Sequence, residues 1–157
     1  MNKSSDGSQG PAPQSGSSPN GRNEGVKGAF QASFPVRIGD INYGGHMGND
    51  RFLSLFHDAR LQFLESLGLS ERDIGGGTSL IMSEAHIRFR AEAFYGDSLT
   101  VLITVSDLKD TRFILDYAVS KDGGETPVAT GYTVMVGFDY ERRRVCRLPK
   151  TFLAKVR

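Results

Sequence analysis

Residues 40–69 read DINYGGHMGNDRFLSLFHDARLQFLESLGL. The first part is a turn crowded with Gly44, Gly45 and Gly48, and the second has the rhythm of a helix. Phe52, Phe56, Ala59, Phe63 and Leu67 recur at intervals of three and four, which places them on one face. Asn49 or Asp50 is expected to cap the helix start, because a short polar side chain there accepts from the first free N–H groups. Gly68 suits the C-cap, with Leu69 placed for the apolar contact that often accompanies it. A helix with a single apolar stripe needs another layer to bury it.

That layer is legible on both sides. Upstream, Phe30, Ala32, Phe34, Val36 and Ile38 alternate with Gln31, Ser33 and Arg37, the spacing of a strand, and Pro35 favours an edge position. Downstream, Ala85, Ile87, Phe89 and Ala91 alternate with Glu84, His86, Arg88 and Arg90. Leu99, Val101, Ile103 and Val105 form the next stripe, then Phe113, Leu115, Tyr117 and Val119. The last long strand is read on Val128, Thr130, Tyr132, Val134, Val136 and Phe138, with Arg144–Arg147 extending its hairpin. Turns at Tyr95-Gly96-Asp97, Leu108-Lys109-Asp110 and Lys121-Asp122-Gly123-Gly124 imply antiparallel pairing. The pattern is an α+β domain. Leu102, Ala129 and Met135 put apolar groups on the opposite faces of their strands, more surface than one helix covers, so a homodimer is expected at least.

Six of the 19 glycines fall within residues 1–28, together with six serines and three prolines. Such a segment has too little apolar surface to offset the entropy of ordering it, and a disordered arm is expected there. Residues 29–157 then form one domain. The formal net charge of +1 gives no electrostatic case for nucleic acid, and no stretch is apolar enough to cross a bilayer. Cys146 is the single cysteine, which excludes an intrachain disulfide and a thiolate-rich zinc site. A reducing, cytoplasmic setting is expected, as no secretion-type apolar core occurs near the start.

The chemical signal is densest in the turn. Its glycines allow close backbone approach, and the helix that follows begins with unpaired N–H groups able to polarise a carbonyl or hold a developing oxyanion. Acyl transfer fits that arrangement; an ordinary glycine turn with an Asn or Asp cap fits it equally.

The chain resembles the hotdog-fold thioesterases, especially the branch related to 4-hydroxybenzoyl-CoA thioesterase and the acyl-CoA and acyl-ACP enzymes. The resemblance covers residues 30–153. It is carried by Arg37 to Asn49, by Phe56-His57-Asp58-Ala59-Arg60, by Ser83 to Arg90 followed by Tyr95-Gly96-Asp97-Ser98-Leu99, and by Arg147-Leu148-Pro149. It implies a curved antiparallel sheet wrapped around one long helix and an acyl thioester bound where two subunits meet, in a homodimer or dimer of dimers. The implied activity is hydrolysis of an acyl-CoA, or an acyl carrier protein thioester, by water. Coenzyme A enters as part of the substrate, and no further cofactor or metal is implied.

One large group of the family reads Asp-x-Asp in the turn, with the second acid catalytic; here that position is Asn42, which hydrogen-bonds but is no carboxylate base. Another branch places an acid on the helix, and Asp58 matches it as a group to orient or deprotonate water, against a surface carboxylate paired with Arg60 or Arg51. His46 resembles the histidine of the family's Gly-His-x-Asn-Asn form, although Gly48 occupies the first Asn position. Asn49 is divided between helix cap and substrate contact, two roles that can coexist. Tyr43 is expected to line the acyl pocket, and Arg88, Arg90 and Arg112 to meet the coenzyme's phosphates, as is the run Arg142–Arg144 unless it is a solvated tip. His57, His86 and Cys146 read as structural. Two other functions stay open: an idle acyl-CoA sensor or assembly protein, because Asn42 removes the diagnostic acid, and an enoyl-CoA hydratase or dehydratase, whose turn also combines Asp, Asn and His.

Overall fold

The computed structural model describes residues 28–157. The disordered arm expected over residues 1–28 lies outside the described residues apart from Gly28. The chain runs β1 (Phe30–Pro35), α1 (Asn49–Ser66), β2 (Ser79–Phe89), β3 (Ser98–Ser106), β4 (Arg112–Lys121), β5 (Thr126–Asp139), β6 (Arg144–Val145) and α2 (Lys150–Val156). A short 3-10 turn, Ile38–Asp40, links β1 to the glycine-rich loop. The strands form one antiparallel sheet in the order β1-β3-β4-β5-β2, with β6 added beside the end of β5. The sheet curls around α1, as expected for the hotdog arrangement.

The helix sits where its stripe predicts. Phe52, Leu55, Phe56, Ala59, Phe63 and Leu64 are buried, and each large apolar side chain among them contributes about 1.5–3 kcal/mol by leaving water. Beneath Phe56 runs one row of register partners across the sheet: Phe30, Ile103, Tyr117, Gly131 and Ile87. The Phe56 ring lies flat on Tyr117, centroids 4.1 Å apart, while Phe63 meets Phe30 edge-on at 5.8 Å. The helix stops as its sequence indicates. Gly68 takes a positive φ of 70°, its N–H donates to Glu65 and that of Leu69 to Leu64, the paired bonds of a Schellman ending.

Three expectations are corrected. The N-cap is Gly48, no side chain among the described residues caps the helix, and Asn49 is its first helical residue. On β5 the inward set is Ala129, Gly131, Thr133 and Met135, the register partners of Val119, Tyr117, Leu115 and Phe113, so Thr130, Tyr132, Val134 and Val136 face outward. The cause is steric: a Cβ on Gly131 would lie 2.9 Å from Phe56 Cε2, so the helix rests where β5 is smallest. The hairpin extension is only Arg144–Val145, and the chain then forms α2, which buries Phe152 against Phe113 at 5.0 Å between centroids.

Strand β2 is an edge. A bulge between Met82 and Glu84 resets its register, and Met82 and Phe89 are 39% and 45% exposed. On α1, Leu53 and Leu61 are also exposed.

Candidate active site

The glycine-rich loop folds on its own polar groups. The Asn42 side-chain Oδ1 accepts from the Gly44 N–H at 2.9 Å, the Asn42 N–H donates to the His46 carbonyl at 2.9 Å, and the Gly45 N–H donates to the Asn42 carbonyl at 3.0 Å. Gly45 adopts a φ of 81°, which the turn requires. Asn42 is therefore the residue that shapes the loop, and its acceptor is already engaged. The loop is pinned outward at two points, Gly48 N–H to the Asp40 carbonyl at 2.9 Å and Met47 N–H to the Ala93 carbonyl at 2.8 Å. The second bond lays the loop against the segment that follows β2.

Where the two segments meet, an open cleft of about 350 Å³ is lined by His46, Asn49, Phe52, Phe89, Arg90 and Glu92 among others. Phe52 and Phe89 meet edge-on at 5.3 Å and form an apolar wall. The start of α1 opens beside it: the Arg51 N–H donates to the Gly48 carbonyl at 3.0 Å, while the Asn49 and Asp50 N–H groups have no partner among the described residues and, with the positive end of the helix, are left for a ligand. His46 Nδ1 lies 3.1 Å from the Met47 carbonyl, which only accepts, so the neutral ring carries its proton on Nδ1 and keeps the Nε2 lone pair. Nε2 faces Glu92 Oε1 at 3.8 Å. Glu92 is absent from the sequence-level candidates: its single acidic position after a strand carries no motif, and only the Met47–Ala93 bond brings it to His46.

The remaining candidates are dispersed. Asp58 lines a different cleft, about 90 Å³, with Arg37, Asp40, Arg51 and Ser54. It lies nine residues along α1 from Asn49, roughly 13 Å at about 1.5 Å per residue, so one chain does not present both to the same carbonyl. Neither arginine considered as its partner takes it: Arg51 pairs with Asp50 and Arg60 with Glu71. Tyr43 stands fully exposed at the loop tip. Of the three arginines expected at the coenzyme, only Arg90 lines the larger cleft. Arg88 is exposed on β2 opposite Thr130, while Arg112 is opposite Val136, six residues and about 20 Å farther along β5, and pairs with Asp107 at 3.2 Å. Arg142 binds Asp139 and Arg143 stacks over Phe138 and Tyr140, a local hairpin tip. Hydrogen bonds from the Arg142 backbone and side chain hold the Asp139 carboxyl below its usual range.

His57 and His86 have structural partners. His57 Nε2 is 3.2 Å from Glu71, and His86 stacks on Tyr132, whose hydroxyl donates to Glu84 at 2.5 Å. That bond raises the Tyr132 pKa. Cys146 is partly buried near Thr78. Among the described residues no group of three or more His, Cys, Asp or Glu side chains is arranged for a metal, and no helix is long and apolar enough to cross a membrane.

Comparison with known proteins places the chain in a family. Residues 36–156 match the family model described as the Thioesterase-like superfamily. An Agrobacterium fabrum protein named L-carnitine dehydrogenase/betainyl-CoA thioesterase is 32% identical over 80% of this chain, and the aligned part spans only 27% of that longer protein. A Synechocystis protein named 1,4-dihydroxy-2-naphthoyl-CoA hydrolase is 30% identical over 78% of this chain and 91% of its own. Among solved structures, a 1,4-dihydroxy-2-naphthoyl-CoA thioesterase from Synechocystis superposes with a TM-score of 0.75 at 28% identity, covering 82% of this chain and 96% of that one. A Staphylococcus aureus protein in complex with CoA gives 0.75 at 27% identity, covering 85% of each. With its curled sheet, long helix and helix-end cleft, the chain belongs to the thioesterase-like superfamily and has the hotdog fold.

Proposed function

We propose that the chain hydrolyses an acyl-CoA thioester by direct attack of water, with the reacting carbonyl at the start of α1. The carrying observation is the cleft that joins an uncapped helix N-terminus, His46 and Asn49 to the Phe52–Phe89 wall. The Asn49 and Asp50 N–H groups at the helix start take the carbonyl oxygen and hold the charge it gains in the tetrahedral intermediate. The acyl group lies against the phenyl wall, and the cleft's volume suits a compact acyl group. Arg90, at the same cleft, offers its forked donors to a coenzyme phosphate. His46 Nε2 takes the water proton, and coenzyme A leaves as the thiol.

The working unit in this reading is at least a homodimer. The open β2 edge, with half-exposed Met82 and Phe89, and the exposed Leu53 and Leu61 on α1 give a second copy an apolar surface to cover. Asp58 then has a role only if the partner's helix turns it toward this cleft. Its carboxylate, left unpaired by Arg51 and Arg60, supports that second reading. A reducing cytoplasm fits the single cysteine.

The test is thiol release from short, aromatic and long acyl-CoAs by the full chain and by separate His46→Ala, Asn42→Ala and Asp58→Asn proteins. Loss of turnover in His46→Ala supports the assignment. Loss confined to Asp58→Asn moves the base to the helix carboxylate. Tight acyl-CoA binding without turnover identifies a sensor, and conversion of an enoyl-CoA without thiol release identifies a hydratase.

A further inference from the structure

The structure assigns Glu92 to the reaction, as the second half of a water-holding pair with His46; this inference rests on the hydrolase reading above. Two groups face each other across the larger cleft, His46 Nε2 and Glu92 Oε1, at 3.8 Å. The closer contact of Nδ1 with the Met47 carbonyl, 3.1 Å, keeps the ring proton on the far side, so both facing atoms are acceptors. Two acceptors at that separation fit one water between them. Hydrogen bonds of about 2.8 Å on each side span the gap at an angle not far below that of the water molecule itself. Both water protons are then engaged, and its remaining lone pairs point into the cleft.

The segment carrying Glu92 is held for that purpose. Ala93, the next residue, is buried and accepts from Met47, the residue after His46, so the two side chains emerge side by side. The Glu92 carbonyl accepts from Lys121 Nζ of β4 at 2.9 Å, and Lys121 also reaches Asp97 at 3.5 Å. The other charged residue lining the cleft is Arg90, on the same segment; Asp50, the next residue after Asn49 on α1, pairs with Arg51 at 3.6 Å.

The step balances without a further reactant. One O–H bond of the water breaks and its proton passes to Nε2 as the water oxygen bonds the thioester carbon, whose π electrons move onto its oxygen. The resulting imidazolium and the Glu92 carboxylate form an ion pair at the distance already present. Collapse of the intermediate breaks the C–S bond, and the proton passes from Nε2 to sulfur, giving the free acid and the coenzyme thiol. Glu92 thus supplies the carboxylate that the Asn42 position lacks, from a different element.

The experiment combines kinetics with a spectroscopic signature on the full chain. Imidazole nitrogen NMR of His46 is expected to show the neutral ring protonated on Nδ1; a ring protonated on Nε2 overturns the pair. In thiol release, Glu92→Gln is expected to lower kcat about 100-fold, the lower end of a general acid–base contribution, with KM within twofold. Glu92→Asp retains part of the rate, and added formate restores part of it in Glu92→Ala. Unchanged kcat in Glu92→Gln, a loss confined to KM, or no response to formate overturns the role of Glu92 while leaving hydrolysis intact. Absence of thiol release by the unsubstituted chain overturns the hydrolase reading itself. Because the Glu92 side chain is 63% exposed, these variants are expected to keep the fold, which thermal melting verifies.

Discussion

The Met47 amide donates to the Ala93 carbonyl at 2.8 Å, and this bond sets His46 beside Glu92. The loop that presents His46 depends equally on Asn42, whose Oδ1 accepts from Gly44. Asn42→Ala removes that acceptor. It is expected to cost about 0.5–1.5 kcal/mol in urea unfolding and to lower kcat severalfold by loosening His46. Asn42→Asp keeps an acceptor oxygen at the same place and is expected to stay within about 0.5 kcal/mol of the unsubstituted chain.

A second expectation concerns the charge under the helix. Arg60 is 5% exposed, pairs with Glu71, and leaves Nη1 without a hydrogen-bond partner among the described residues. Burial opposes its charge, but the bond to Glu71 and the neighbouring Tyr117 outweigh it and raise its pKa. Glu71→Gln strands that cation and is expected to destabilise by about 3 kcal/mol, whereas Arg60→Met removes the charge with its burial cost and is expected to cost less. Urea midpoints decide the order.

Tyr117 gives a pH signature. Burial raises its pKa above the ordinary tyrosine value, while its hydroxyl bonds Thr133 at 3.1 Å. The folded chain then holds this proton where the unfolded chain releases it. Stability from Tyr117 is full below about pH 10 and is lost as pH rises through the raised value. Urea midpoints measured from pH 8 to 11 are expected to fall above about pH 10, and Tyr117→Phe to fall less steeply over that range.

Gly131→Ala tests the seat of the helix. A Cβ there would meet the His86 carbonyl at 2.2 Å and Phe56 Cε2 at 2.9 Å. The neighbours are backbone and a buried ring, so neither yields easily. A loss of about 1–3 kcal/mol is expected, recovered in part by adding Phe56→Leu.

Most of the fold is readable in the chain because local periodicity and burial agree. The stripe from Phe52 to Leu67 and the Gly68 ending need only helix geometry, and Phe113 to Val119 alternate cleanly into the core. Strand β5 misleads because both of its faces are apolar, and the deciding fact, Phe56 resting on Gly131, is a tertiary contact. Helix α2 had a weak local sign in Pro149 followed by Phe152 and Val156 four apart, but seven residues give little periodicity. In the site, His46 and Asn49 are legible from the turn. Glu92 is not, since its partner is chosen by a backbone bond between two distant segments.

The most direct measurement is thiol release from acyl-CoA by the unsubstituted chain beside His46→Gln, with circular dichroism confirming the same fold. Turnover that falls at least about 100-fold in kcat, with KM little changed, is the expected result. Turnover that His46→Gln leaves intact, or no thiol release from any acyl-CoA, contradicts hydrolysis by His46 at the start of α1.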